Sequence, residues 1–215
     1  MNKSLLLTRP NHDPLTNYLY YWCEKVIQQA RKSRVKVIDL DKKRANRKEF
    51  ESVIRKTNPS LVSLNGHGDD QTVTGFNNEV LIKARVNEQL LAEKIVYALA
   101  CRSAKVLGPR SIKKGTKAYI GYDDDFVLMY NENKITRPLE DKTAKLFLEP
   151  SNMVLISLLK GNDAKTSHLR SKNNFKKKYQ SLMTTESPQV DKEALPWLWW
   201  DMNHQVCLGD QNAQI

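Results

Sequence analysis

At 215 residues and 40% apolar composition, the chain suits one domain with a real core, or one domain with an appendage. A mean hydropathy of -0.59, with no run near the ~18 apolar residues of a spanning helix, argues against a membrane-embedded protein. The formal net charge of +11 and the pI near 9.5 call for a solvated basic surface or a polyanionic partner, nucleic acid or an acidic protein face.

No basic motif interleaved with aromatics is visible, so nucleic acid is the weaker of those two partners. The apolar stretch Leu5-Leu-Leu7 is far too short for a signal peptide. Three cysteines, Cys23, Cys101 and Cys207, make no even disulfide framework, which predicts a reducing cytoplasmic setting.

In chain order, residues 4–8 read as a short strand. Asn11-His-Asp-Pro14 is turn chemistry, with Asp13 placed to cap a helix and Pro14 suited to its first turn. Leu15, Leu19, Trp22, Val26 and Ala30 recur at helical spacing and predict one amphipathic helix over about 14–32. A second strand follows at 35–40. A charged helix spans 44–56, with Phe50, Val53 and Ile54 on one face and Asn58-Pro59 closing it.

The third strand, 61–64, delivers His67 between Gly66 and Gly68, glycines that permit unusual backbone angles and leave the imidazole room. Residues 69–83 lack a helical period and suggest a small hairpin over the site. Asn87 can cap a short helix through Leu91, and 95–100 is a fourth strand ending on Cys101. The alternative there is one long helix over 86–107, with Leu90, Leu91, Ile95, Val96 and Leu99 as its core face. A helix over 103–112 is broken by Gly115. The fifth strand, 118–122, ends in Asp123-Asp-Asp125, and 126–130 reads as a sixth.

Beyond Asn131 two helical stretches, 141–159 and 163–183, are interrupted at Glu149-Pro150 and parted at Gly161-Asn162. The second carries Lys165, Arg170, Lys172, Lys176, Lys177 and Lys178 as a basic face. The last stretch, 187–215, holds Pro196-Trp-Leu-Trp-Trp200 and a weakly patterned tail.

Strands alternating with helices at these intervals predict βαβ units, a mostly parallel sheet and helices on both faces. The expected architecture is an α/β three-layer sandwich over residues 1–130, followed by a mainly helical part over 131–215. On such a sheet, Cys101 and His67 leave at the same carboxyl edge, where open α/β sheets place their sites. A thiol beside an imidazole is an activated nucleophile, because the histidine takes its proton. A buried structural cysteine is the plainer account of Cys101. Three adjacent carboxylates in a basic chain invite a cation, either a Lys or Arg side chain or a divalent metal shared with Asp69 and Asp70.

His67-Gly68 after one apolar strand, then Ala100-Cys101 after the next, resembles the His-Gly…Ala/Ser-Cys signature of caspase-like clan CD cysteine peptidases, most nearly the separase and CHAT types. The likeness covers roughly residues 4–130. It implies a caspase-like fold with Cys101 as nucleophile and His67 as general acid/base. It also implies an oxyanion hole from the backbone N–H groups of Cys101 and Gly68. Asp123 or a neighbour such as Asp125, with Asp13 in reserve, would hold a basic P1 side chain. No metal or cofactor is called for. Arg102 and the whole of 131–215 fall outside the family pattern, so activation by a larger partner through the basic helices is a further expectation. Two rivals stand beside this reading: a metal-dependent nuclease built on the Asp clusters, and an inactive caspase-like interaction module.

Overall fold

The computed structural model describes residues 3–184 and 192–215. Its centre is a six-stranded sheet made of β1 (Ser4–Arg9), β2 (Lys36–Asp41), β3 (Leu61–Asn65), β6 (Ile95–Leu99), β7 (Ala118–Tyr122) and β8 (Gln205–Gly209), in the order β2-β1-β3-β6-β7-β8. All pairings are parallel except β7 with β8. A two-stranded antiparallel hairpin, β4 (Thr72–Thr74) and β5 (Val80–Lys83), lies where 69–83 predicted one.

Alternation along the strands builds two cores, since successive side chains point to opposite faces. Leu5 and Leu7 of β1, Tyr97 and Leu99 of β6, and Ile120 and Tyr122 of β7 enter one core. Leu6, Val96, Ala98 and Tyr119 enter the other. The first core is covered by α1 (Pro14–Trp22), α2 (Glu24–Lys32), α5 (Lys142–Leu159), α6 (Ala164–Leu182) and α7 (Leu195–His204). The second is covered by α3 (Arg47–Thr57), α4 (Leu107–Lys113) and the hairpin. The molecule is therefore an α/β sandwich of helices, sheet and helices. Among the described residues no helix is long and apolar enough to cross a membrane.

Local chemistry sets most boundaries. Asp13, Asn46, Asp141 and Asp163 each accept a hydrogen bond from a first-turn N–H as side-chain caps of α1, α3, α5 and α6. The single helix expected over 14–32 is two, parted at Cys23. Pro150 does not interrupt α5, because burial of Phe147, Leu148, Val154 and Leu155 outweighs its local cost. The helix expected from 103 begins at Leu107. Before it, Arg102 N–H donates to Asp124 O (3.0 Å) and Ala104 N–H to Tyr122 O (2.9 Å), bonds that hold a turn instead. The long-helix alternative over 86–107 fails, since β6 runs between two parallel neighbours.

The largest difference is the sixth strand. Residues 126–130 are irregular, and the sheet is closed by β8 from the weakly patterned tail. Its alternation is short but real: Val206 and Leu208 pack on one core and Cys207 on the other. Residues 187–191 of that tail lie outside the described residues.

His168 of α6 ties this strand to the helical layer, its Nδ1 lying 3.1 Å from Gln205 Oε1. Burial, reinforced by Lys172, lowers its pKa to about 4. Between an unfolded value near 6.5 and that folded value, only the unfolded chain binds the proton, so folding loses free energy as pH falls through this window. We expect a loss of about 2–3 kcal/mol from this residue between pH 7 and pH 4. Urea unfolding at both pH values should show a smaller fall in His168→Gln, and an identical fall in both proteins would refute the assignment.

Candidate active site

β3 and β6 are parallel neighbours, with Leu64 beside Ala98 and Asn65 beside Leu99. The residues just past them, His67 and Cys101, therefore leave the sheet at one carboxyl edge. The two segments touch. A Cβ on Gly68 would lie 2.8 Å from Cys101 O and 3.0 Å from Ala100 Cβ. Gly68 is thus required by close approach of two backbones, not by an unusual angle. His67 is fastened to the hairpin, its carbonyl accepting from Thr74 N (2.9 Å) and Thr74 Oγ1 (3.2 Å).

Cys101 is partly buried, and its Sγ donates to the Phe126 carbonyl at 3.7 Å rather than to His67. Burial raises its pKa above the ordinary thiol value, with Asp125 adding and Arg102 opposing. In this arrangement the sulfur is a neutral thiol at neutral pH. Among the described residues, the backbone N–H groups of Gly68 and Cys101 donate to no protein acceptor. Arg102 follows with φ 51°, a left-handed conformation that costs a non-glycine residue about 1–2 kcal/mol.

Asp13 lines a groove at the site and is also the cap of α1 and the partner of His67. Its Oδ1 accepts from Thr16 N (2.8 Å) and Thr16 Oγ1 (2.9 Å), and its Oδ2 lies 2.7 Å from His67 Nε2. Burial works to raise its pKa, but the Thr16 and His67 hydrogen bonds prevail and hold it below the usual carboxylate value. The helix cap thus presents its second oxygen to the imidazole.

The acidic loop after β7 divides its carboxylates. Asp123 Oδ1 lies 2.8 Å from His204 Nδ1, and Asp125 Oδ1 lies 3.1 Å from Arg102 Nε. The Asp124 carboxylate accepts from Asp125 N (2.8 Å) and has no cationic partner among the described residues. Asp70 lies 3.6 Å from Arg102 Nε and 3.9 Å from Lys105 Nζ, while Asp69 Oδ1 accepts from Gln71 N and Thr72 N. Each of these five carboxylates therefore already has at least one oxygen beside a protein cation, imidazole or amide. Among the described residues, the group of three donors close enough to share a metal is His12, Asp13 and His67.

Sequence reasoning missed what holds that acidic loop. Helix α7 clamps it: Trp200 Nε1 donates to Asp125 O (2.9 Å), and Val127 N to Asp201 Oδ1 (2.9 Å). Asp123 N–H also donates to His204 O (3.0 Å). Trp200 and His204 stack one turn apart, their ring centres separated by 4.1 Å. That i, i+4 pair flanking an aspartate was the available signal. Asp201 is fully buried, and burial raises its pKa well above the ordinary carboxylate value. An open groove of about 350 Å³ is lined in part by Asp70 and by Arg102, the residue after Cys101, and one of about 450 Å³ in part by His12 and by Asp13, the partner of His67.

No model of a known protein family matches the chain, and no curated protein matches it.

Proposed function

We propose that the protein is a cysteine endopeptidase, of the kind its His-Gly and Ala-Cys segments resemble, that cuts after Arg or Lys. The observation that carries this reading is the convergence of Cys101 and His67 at one sheet edge beside two unengaged backbone N–H groups. A substrate carbonyl placed against the Gly68 and Cys101 N–H groups meets donors already fixed by the fold. His67 takes the thiol proton, and the sulfur attacks the carbonyl carbon. The oxyanion rests on the two N–H groups. The imidazolium then protonates the leaving amine, and water, with His67 as base, hydrolyses the thioester.

Asp13 acts on this cycle through His67. By accepting from Nε2 it keeps a proton there, leaves Nδ1 free for the thiol, and stabilises the imidazolium. The P1 cation falls to the acidic loop. Asp124 is now the first choice, since Asp123 and Asp125 already hold His204 and Arg102. The same contacts weigh against the nuclease reading. The exposed Lys165, Arg170, Lys176 and Lys177 of α6, and the exposed Trp197 and Trp199 of α7, are available to an acidic activating partner.

Incubation with a Lys- or Arg-directed acyloxymethyl ketone, followed by mass spectrometry, should place one adduct on Cys101. Cleavage profiling on a denatured proteome should then show cuts after Arg and Lys, with the preference reduced about 30-fold or more in Asp124→Asn. An unlabelled Cys101, or a majority of cuts after acidic or apolar residues, would overturn the reading.

A further inference from the structure

The residues around Asp13 hold a second piece of chemistry. His67 Nε2 lies 2.7 Å from Asp13 Oδ2, and His12 Nε2 lies 3.3 Å from the same oxygen. All three donor atoms fall within 4.8 Å of one another. We propose that His12, Asp13 and His67 form a site for a divalent transition-metal ion, zinc being the best match, and that filling it switches the peptidase off. The regulatory half rests on the peptidase reading; the metal site does not.

The donor set suits the ion. Two imidazole nitrogens and one carboxylate oxygen are ordinary zinc ligands, and three protein ligands leave a fourth position for water. With bonds of about 2.0–2.1 Å, tetrahedral ligands stand roughly 3.3 Å apart. One separation already has that value, and the 2.7 Å pair must open by a few tenths of an ångström. Calcium and magnesium would want more oxygens than these residues offer.

The ligands are also held in place before any ion arrives. Asp13 is anchored as the cap of α1 through Oδ1, which aims Oδ2 outward. The His12 N–H donates to Thr16 Oγ1 (3.0 Å), and its ring packs edge-on against Phe76, with 9% of the side chain exposed. His12 Nε2 lies 3.3 Å from Asn78 Oδ1, while its Nδ1 is buried without a partner. His67 is fixed by the hairpin bonds to its carbonyl. The groove of about 450 Å³ lined by His12 and Asp13 is the entry path.

Chemically, the metal takes the lone pair of His67 Nε2. A ring ligated there keeps its remaining proton on Nδ1 and cannot accept another from the thiol. Asp13, now a ligand, no longer fixes the tautomer. Loss of the base and loss of its positioning residue are one event.

The test uses the full chain carrying Cys101→Ser, so that no thiolate at the site contributes, and Co²⁺ as the probe. Added Co²⁺ should develop visible ligand-field bands that Zn²⁺ displaces. His12 takes no part in the proposed peptide cleavage, so His12→Ala isolates the metal. Loss of an outer-shell partner already lowers metal affinity about 10–100-fold, so loss of a ligand should cost at least about tenfold. If His12→Ala fails to fold, His12→Gln serves in its place. In the chain retaining Cys101, Zn²⁺ should suppress labelling of Cys101 by the acyloxymethyl ketone, a chelator should restore it, and the His12 variant should escape suppression. Absent bands, or equal affinity in the His12 variant, overturn the site. Binding that leaves labelling unchanged overturns the switch. Metal binding in a protein that no ketone labels defeats the peptidase reading while the site stands.

Discussion

Cys101→Ala is expected to abolish peptide cleavage after Arg and Lys while leaving the fold intact. The sulfur contributes little packing: it is partly buried and makes one long contact, 3.7 Å, to a carbonyl oxygen. Its removal strands no charge and opens only a small space at a sheet edge. The chemistry, by contrast, has no substitute. Without the thiol there is no thioester, and neither of the other cysteines can reach the site. Cys23 is buried beneath the sheet, where burial raises its pKa to about 12, and Cys207 lies on β8 with a pKa raised to about 11. Hydrolysis of an Arg-terminated fluorogenic peptide and a thermal melt, run on Cys101→Ala and Cys207→Ala together, decide the matter. Full activity in the first protein would sink the peptidase reading. Alkylation should follow the same order, with Cys101 reacting first and its rate still climbing above the ~8.5 of an ordinary thiol.

The second large effect is at His67. General acid–base help is worth about 10²–10⁴-fold, and His67 is asked for it twice, once in each half of the reaction. We expect His67→Ala to lower kcat/KM by that range with little change in Tm. The side chain is 39% exposed and its ring bond runs to an aspartate that keeps its Thr16 partners. A loss under about tenfold would put the base elsewhere.

Much of this fold could be read from residue pattern alone. The strands β1, β3, β6 and β7 are short, mostly apolar runs, as two-sided burial demands. β8 was hidden because an edge strand needs less of that pattern, and its partner lies 87 residues away at Ile120↔Cys207. The start of α4 was misplaced because the competing bonds come from Tyr122 and Asp124, beyond the reach of any local window. At the site, sequence placed His67 and Cys101 at strand ends, and it gave Asp13 its capping role. It could not show that the same carboxylate reaches an imidazole 54 positions on. Nor could spacing reveal that His204 and Arg102 divide the acidic loop between them.

The clamp of α7 over the acidic loop has a consequence for the order of events during synthesis. A ribosome extends the chain from the amino end at about 5–20 residues per second. Cys101 and His67 emerge roughly 100 and 130 residues before Trp200, and from the emergence of β7 until that of β8 the outer side of β7 is an unpaired edge. On the proposed reading, the nascent protein would carry Cys101 before the acidic loop is fixed, so that substrate selection would be among the last things the polypeptide acquires.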